Sequence, residues 1–237
     1  MLKAPNLPGW IDIPLRDRLM EHFELPVVIG NDANVAALGE WQFGAGKGTR
    51  HLIYLTISTG IGGGVIVDGR LVTGADGLAG ELGHMTVDPQ GPRCGCGQNG
   101  HLEAIAAGPA IARNTIAMLE SGRNSTLREK YQKTGKITAK DVGLAARKGD
   151  EVARTAVEEA GEVLGRFLAS LAHAFNPEIF VLGGGVSQIG PLLFETIRSA
   201  FSKSVIHPAY SKTLRIVPAA LGDDAGLVGA MVLATQT

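Results

Sequence analysis

The chain has 237 residues, of which 45% are hydrophobic and 19% charged, with a formal net charge of −1. That length gives room for one large domain or two small ones around a buried core, and that balance excludes a basic nucleic-acid glove and a membrane-surface binder. No apolar run approaches the ~20 residues needed to span a bilayer, and Pro5 and Pro8 interrupt the start where a secretory leader would be apolar, so the expected location is cytoplasmic.

Residues up to about 25, punctuated by Pro5, Pro8 and Pro14, read as the tail of an earlier unit. Val27-Val28-Ile29 is a short strand candidate ending at Gly30, and Asp32 or Asn34 is placed to cap a helix over Ala33 to Trp41. Leu52 to Ser58 and Gly63 to Val67 read as strands, the second turning at Asp68-Gly69 into Arg70 to Thr73. Residues 74 to 103 are turn-rich. Helical periodicity then covers Pro109 to Glu120 and Thr138 to Arg147, the latter with Thr138 and Asp141 at capping-box spacing. The clearest helix runs from Glu151 to Phe175, stopped by Asn176-Pro177. A short buried strand, Ile179 to Leu182, enters Gly183-Gly184-Gly185; a helix from Pro191 to Ser202, a strand from Leu214 to Val217 and a helix from Ala225 to Ala234 follow. Alternating strands and helices imply α/β layers.

Three clusters carry chemistry. Asn31-Asp32-Ala33-Asn34 sits at the carboxyl end of the first strand candidate, where open α/β sheets collect ligands, although alone it is more simply a helix cap. Ser58-Thr59-Gly60-Ile61-Gly62-Gly63-Gly64 could bring backbone N–H groups against an anion, or could be a plain glycine-rich turn. A hairpin follows it, so it is no dinucleotide fingerprint, and Gly46-Lys47-Gly48-Thr49 fails the P-loop pattern. The third cluster holds Glu81, His84, Cys94, Cys96, His101 and Glu103. Two thiolates and two imidazoles suit tetrahedral zinc, and a set of four protein ligands leaves no open position, which makes the site structural. His84 could bind the metal through one ring nitrogen and donate outward through the other. Glu81 and Glu103 could accept from sugar hydroxyls, or be ordinary surface charge.

In this order the clusters resemble the ROK family of sugar kinases and related repressors. The matching stretches are PNLPGW and IDIPL at 5 to 15, LPVVIGNDANVAALGE at 25 to 40, STGIGGGVIVDG at 58 to 69, ELGHMTVDPQGPRCGCGQNGHLEA at 81 to 104, VLGGGVS at 181 to 187 and GDDAGLVGA at 222 to 230. The resemblance implies an actin-like, hexokinase-like (ribonuclease H-like) α/β fold, mostly its larger lobe, with a structural zinc loop. Residues 1–30 would be a remnant of the smaller lobe and the hinge, 31–221 the larger lobe, and 222–237 a helix packing on the smaller lobe. It implies ATP-dependent phosphorylation of a hexose, glucose first, with Asp32 as general base and Mg²⁺ accompanying ATP. Asn6, Gly9, Asn31, Glu81, His84 and Glu103 would hold the sugar; Thr59, Gly60, Gly62 and Gly63 would face the phosphates; Gly183 and Gly184 would approach the adenosine half. Zn²⁺ would sit on His84, Cys94, Cys96 and His101. A homodimer or homotetramer is implied, with no nucleic-acid or membrane partner.

Two departures stand out. Histidine occupies position 101, where the family usually has a third cysteine. The family's Asp-x-Gly-Gly-Thr phosphate segment has no counterpart in the sequence, so a non-catalytic sugar-binding or regulatory protein, or a truncated inactive kinase, are the alternative expectations.

Overall fold

A computed structural model describes residues 12–235. Its centre is a five-stranded sheet in the order β3-β2-β1-β4-β5, with β1 Leu52–Ile57, β2 Ile61–Val67, β3 Arg70–Leu71, β4 Ile179–Gly183 and β5 Arg215–Pro218. β1 and β2 form an antiparallel hairpin, whereas β1, β4 and β5 run parallel. Asp68 and Gly69 both adopt positive φ, +51° and +71°, as the two-residue turn into β3 requires.

Side chains alternate across a strand, so each strand serves two cores. Ile53, Leu55 and Ile57 of β1, with Phe180 and Leu182 of β4, join one cluster with α4 (Gly108–Glu120), α6 (Ala139–Arg147), α7 (Glu151–Phe175) and α8 (Pro191–Ser204). Leu52 and Tyr54, with Ile179 and Val181, face the other way, against α2 (Asp32–Gln42) and α10 (Ala225–Thr235). The sheet is therefore sandwiched between helices, the layering expected of alternating strands and helices. α7 buries more than one stripe because α8 lies along it, and Val157, Gly161 and Gly165 are covered along with Leu164 and Leu168.

Several helix ends follow the sequence closely. Thr138 and Asp141 form the capping box of α6. Asp150 caps α7 by accepting from Ala153 N, and Asn176, in the left-handed region, ends it. Elsewhere the structure departs from expectation. The cap of α2 is Asn31, whose side chain accepts from Ala33 N at 3.0 Å and Asn34 N at 3.1 Å, while Asp32 and Asn34 lie inside the helix. Val27 to Ile29 is not a strand: among the described residues no strand lies beside it to form a ladder, and Val28 and Ile29 are exposed. The short helices α1 (Leu15–Phe23), α3 (Leu102–Ala106), α5 (Arg128–Thr134) and α9 (Ala209–Thr213) add to the expected set. Among the described residues no helix is long and apolar enough to cross a membrane.

Candidate active site

The parallel register aligns Thr56 of β1 with Gly183 of β4 and Leu182 with Pro218 of β5. The carboxyl ends of three strands thus open at one edge of the sheet, together with the N-terminus of α2, which is where ligands of α/β sheets gather. A cavity of about 320 Å³ there is lined by Asn31, Asp32, Thr59, Gly60, Gly62, Gly63, Glu81 and Glu103. Residues 72 positions apart in sequence, Asn31 and Glu103, meet in it.

Asp32 stands in the first turn of α2, and its Oδ1 accepts from Ala33 N at 2.8 Å. Glu103, at the start of α3, turns its Oε2 onto Ile61 N at 3.0 Å. This brings its carboxylate so close to the turn that a Cβ at Gly60 would lie 2.4 Å from that oxygen, so a larger residue there would displace the Glu103 carboxylate. The N–H groups of Thr59 and Gly60 make no hydrogen bond among the described residues, which leaves two donors turned loose at the tip of the β1–β2 hairpin. Gly62 and Gly63 belong to β2 itself, paired in register with Thr56 and Leu55.

Gly183 and Gly184 line a second cavity of about 420 Å³, shared with Asp32, Thr56, Ser58, Gly222 and Asp223. Gly184 has φ +81°, and a Cβ on it would lie 2.4 Å from the Ile57 carbonyl oxygen, so the chain leaves β4 here only as glycine. Tyr54 lines the same cavity. Burial pushes its phenol up from the ordinary value; a hydrogen bond with Thr56 works against this, and the Glu40 and Asp32 carboxylates add to the rise. A third space, about 670 Å³, runs on from Ser58, Thr59 and Gly185 between apolar walls that include Pro109, Ile137, Leu144 and Ile189. Ser58 lines all three cavities, which therefore adjoin at the end of β1.

The sequence offers no motif that marks Thr56 or Tyr54, nor the contribution of α4 and α6. Ser58 opens the glycine-rich cluster. The residues of α6 reach the third cavity only through packing of α6 on α7, for which the sequence holds no local signal.

His84, Cys94, Cys96 and His101 converge, with all four donor atoms within 4.8 Å of one another. His84 Nδ1 lies 3.7 Å from Cys94 Sγ and His101 Nδ1 lies 3.2 Å from Cys96 Sγ. Donors around a tetrahedral zinc with ordinary Zn–S and Zn–N bonds stand roughly 3.3–3.8 Å apart, so this set fits that ion. Burial pushes the Cys94 thiol up; a backbone hydrogen bond from Cys96 opposes this, while the Cys96 side chain and the Glu103 charge add to it. A bound dication would reverse that balance. Cys94 Sγ is also 3.6 Å from Glu103 Oε1, which ties the cluster to the first cavity. His84 belongs to the cluster and is not among the residues lining that cavity. Asn6 and Gly9 lie outside the described residues.

Comparisons with known proteins identify the family and the fold. The model of the family described as "ROK family" matches residues 1–237. The chain is 42% identical over 229 residues to a glucokinase from Halalkalibacterium halodurans, covering 96% of this chain and 69% of that protein. It is 36% identical over 237 residues to a xylose repressor from Caldicellulosiruptor bescii, covering 98% of this chain and 58% of the repressor. Among solved structures, a ROK family glucokinase from Streptomyces griseus in complex with glucose and AMPPNP superposes with a TM-score of 0.86 at 39% identity, over 100% of this chain and 76% of that one. The fold is the actin-like, hexokinase-like one.

Proposed function

The chain belongs to the ROK family, and on that premise we propose that it phosphorylates a hexose with ATP, glucose first among the candidates. The observation that carries this reading is the meeting of Asn31, Asp32, Glu81 and Glu103 with the Thr59-Gly60 turn in one cavity. In this reading Asp32 is the general base. Its Oδ1 already accepts from Ala33 N, which leaves Oδ2 to take the proton of the sugar hydroxyl as the new O–P bond forms and ADP departs with the bridging oxygen. Proton loss is late in a loose phosphoryl-transfer transition state, so the base needs position more than basicity. Asn31, Glu81 and Glu103 receive sugar hydroxyls, and an analogue lacking one would leave a carboxylate unpaired.

The free N–H groups of Thr59 and Gly60, beside Gly62 and Gly63, receive the terminal phosphates; the substrate is Mg-ATP, whose magnesium neutralises phosphate charge. The adenosine half passes Gly183 and Gly184, and the apolar walls beyond Gly185 suit the base. Zinc bound by His84, Cys94, Cys96 and His101 would fix the loop that carries Glu81 and leads into α3, which carries Glu103. With His84 Nδ1 turned toward the thiols, Nε2 is left to donate to a sugar hydroxyl. We keep Asn6 and Gly9 on the sugar side. We also assign residues 31–221 to the larger lobe, residues 1–30 to the hinge and part of the smaller one, and the exposed Leu227 and Met231 face of α10 to packing on that smaller lobe.

A coupled assay for ADP release tests the proposal, with Mg-ATP and glucose, mannose, fructose, N-acetylglucosamine or N-acetylmannosamine. Asp32→Asn is expected to lower turnover by about 10²–10⁴-fold with sugar binding retained. Undiminished turnover in that variant would remove Asp32 from the role. A second reading, a sugar-binding regulator, is supported by the similarity to the xylose repressor; it expects hexose binding with no sugar-dependent ADP release.

A further inference from the structure

Glu40 is a charged residue on α2 with 0% exposure, and no ion pair accompanies it among the described residues. Its carboxylate is instead filled by backbone donors. Oε2 accepts from Ala45 N at 2.8 Å and Ala220 N at 3.1 Å, and Oε1 accepts from Leu221 N at 2.7 Å. A buried carboxylate is tolerated when several N–H groups complete its acceptor sites. Two of these three donors lie 180 and 181 residues away in sequence, so the contact joins separate parts of the fold.

The segment it grips is the one that leaves β5. Ala219 N donates to the Leu182 carbonyl at 2.9 Å, fixing the segment's start to β4, and Glu40 fixes its middle. The next residues, Gly222 and Asp223, line the same cavity as Asp32, Gly183 and Gly184. Asp32 and Glu40 share α2, about two turns apart, so the helix that presents the proposed base also holds the segment leading into Gly222 and Asp223 of that cavity.

We infer that Glu40 is a positioning residue for the nucleotide: through Ala220 and Leu221 it holds the 219–223 segment in place as a wall of the cavity that takes the Gly183–Gly184 half of ATP. The inference rests on the kinase reading. It separates Glu40 from the sugar side, because its hydrogen bonds go to Ala45, Ala220 and Leu221 and not to the segments bearing Glu81 or Glu103.

Glu40→Gln keeps the volume but replaces one acceptor oxygen with an NH₂ group, which faces at least one N–H donor and pushes 220–221 away. Calorimetric titrations of magnesium-AMPPNP and of glucose, each into wild type and Glu40→Gln, separate the outcomes. The variant is expected to bind the nucleotide analogue on the order of tenfold more weakly, within what a small misplacement costs, and glucose unchanged; in turnover, KM for ATP rises while KM for glucose holds. Equal weakening of both ligands, or of neither, overturns the role and leaves a structural staple. A wild-type chain that binds no nucleotide removes the kinase reading and this role with it, whereas a wild type and variant that bind nucleotide alike remove this role alone. If Glu40→Gln does not fold, amide exchange on the wild type decides: slow exchange at Ala220 and Leu221, with added protection of Gly222 and Asp223 by the analogue, supports the role, and fast exchange at 220 and 221 overturns it.

Discussion

The helix–sheet–helix body and the loop from 74 to 101 are stabilised in different ways. In the body, β1 and β4 are almost wholly buried, and α7 covers Leu164, Leu168 and Ala172 at 1% exposure or less. The loop has a 3₁₀ turn, Leu82–His84, two isolated β-bridges, Thr86 with His101 and Arg93 with Asn99, and mostly exposed side chains between them. Its convergence point is the His84, Cys94, Cys96 and His101 set. Apolar burial holds the one; we assign the other to metal coordination. Both deliver groups to the same cavity, so function would depend on the weaker of the two.

The most severe way to break this comparison is to take the metal away. Exhaustive chelation, or Cys94→Ser, is expected to abolish sugar-dependent turnover, by about 100-fold or more, since ligand shells of this kind control activity on that scale. Far-UV circular dichroism should keep its helical signal, and metal analysis should show zinc lost in step with activity. Chelation that melted α7 together with the loop would show the two regions to be one cooperative unit.

Leu164→Ala attacks the other region. It empties a fully buried position between α7 and the sheet and should cost about 2–5 kcal/mol in urea unfolding, with the KM for sugar unchanged in the folded fraction.

Asp150→Asn sharpens the body's dependence on its helix ends. Asp150 accepts from Ala153 N and, through Oδ2, from Ser125 Oγ and from Thr126 N and Oγ1. Burial alone would raise its pKa, but these donors outweigh it and hold the carboxyl below the usual range. The stability it contributes is present above the unfolded value near ~3.9 and is lost as pH falls through the lower folded pKa. The variant should lose about 1–2 kcal/mol at neutral pH, and its deficit against wild type should shrink below about pH 4.

Smallest of all, Lys133→Ala removes an exposed pair with Glu129 on α5 and should shift stability by no more than about 0.5 kcal/mol. A larger loss would mean that surface charge does more for the body than its packing suggests.

Chain-local chemistry wrote much of this into the sequence. The span of α7, the capping box at Thr138 and Asp141, the Asp68-Gly69 turn and the zinc-type ligand set all depend on residues within a few positions or within one loop, so periodicity and residue type suffice to find them. Val27 to Ile29 has the composition of a strand, yet strand formation needs a partner ladder, and the described residues supply none beside it. The cap of α2 fell to Asn31 because capping depends on where the backbone turns into the helix, a choice among three neighbouring polar residues that composition leaves open.

The residue types at the site, a carboxylate at a helix start, a glycine turn and a Glu-His pair, were set by the sequence alone because each is a short pattern with its own chemistry. Their meeting was decided only by tertiary structure. The parallel pairing of β1 with β4 and β5 brings Thr56, Gly183 and Pro218 to one edge, and Glu103 finds Ile61 N across 42 residues. Glu40 finds Leu221 across 181. Long-range pairing of this kind comes from burying both faces of one sheet at once, a condition on the whole chain that no single segment expresses.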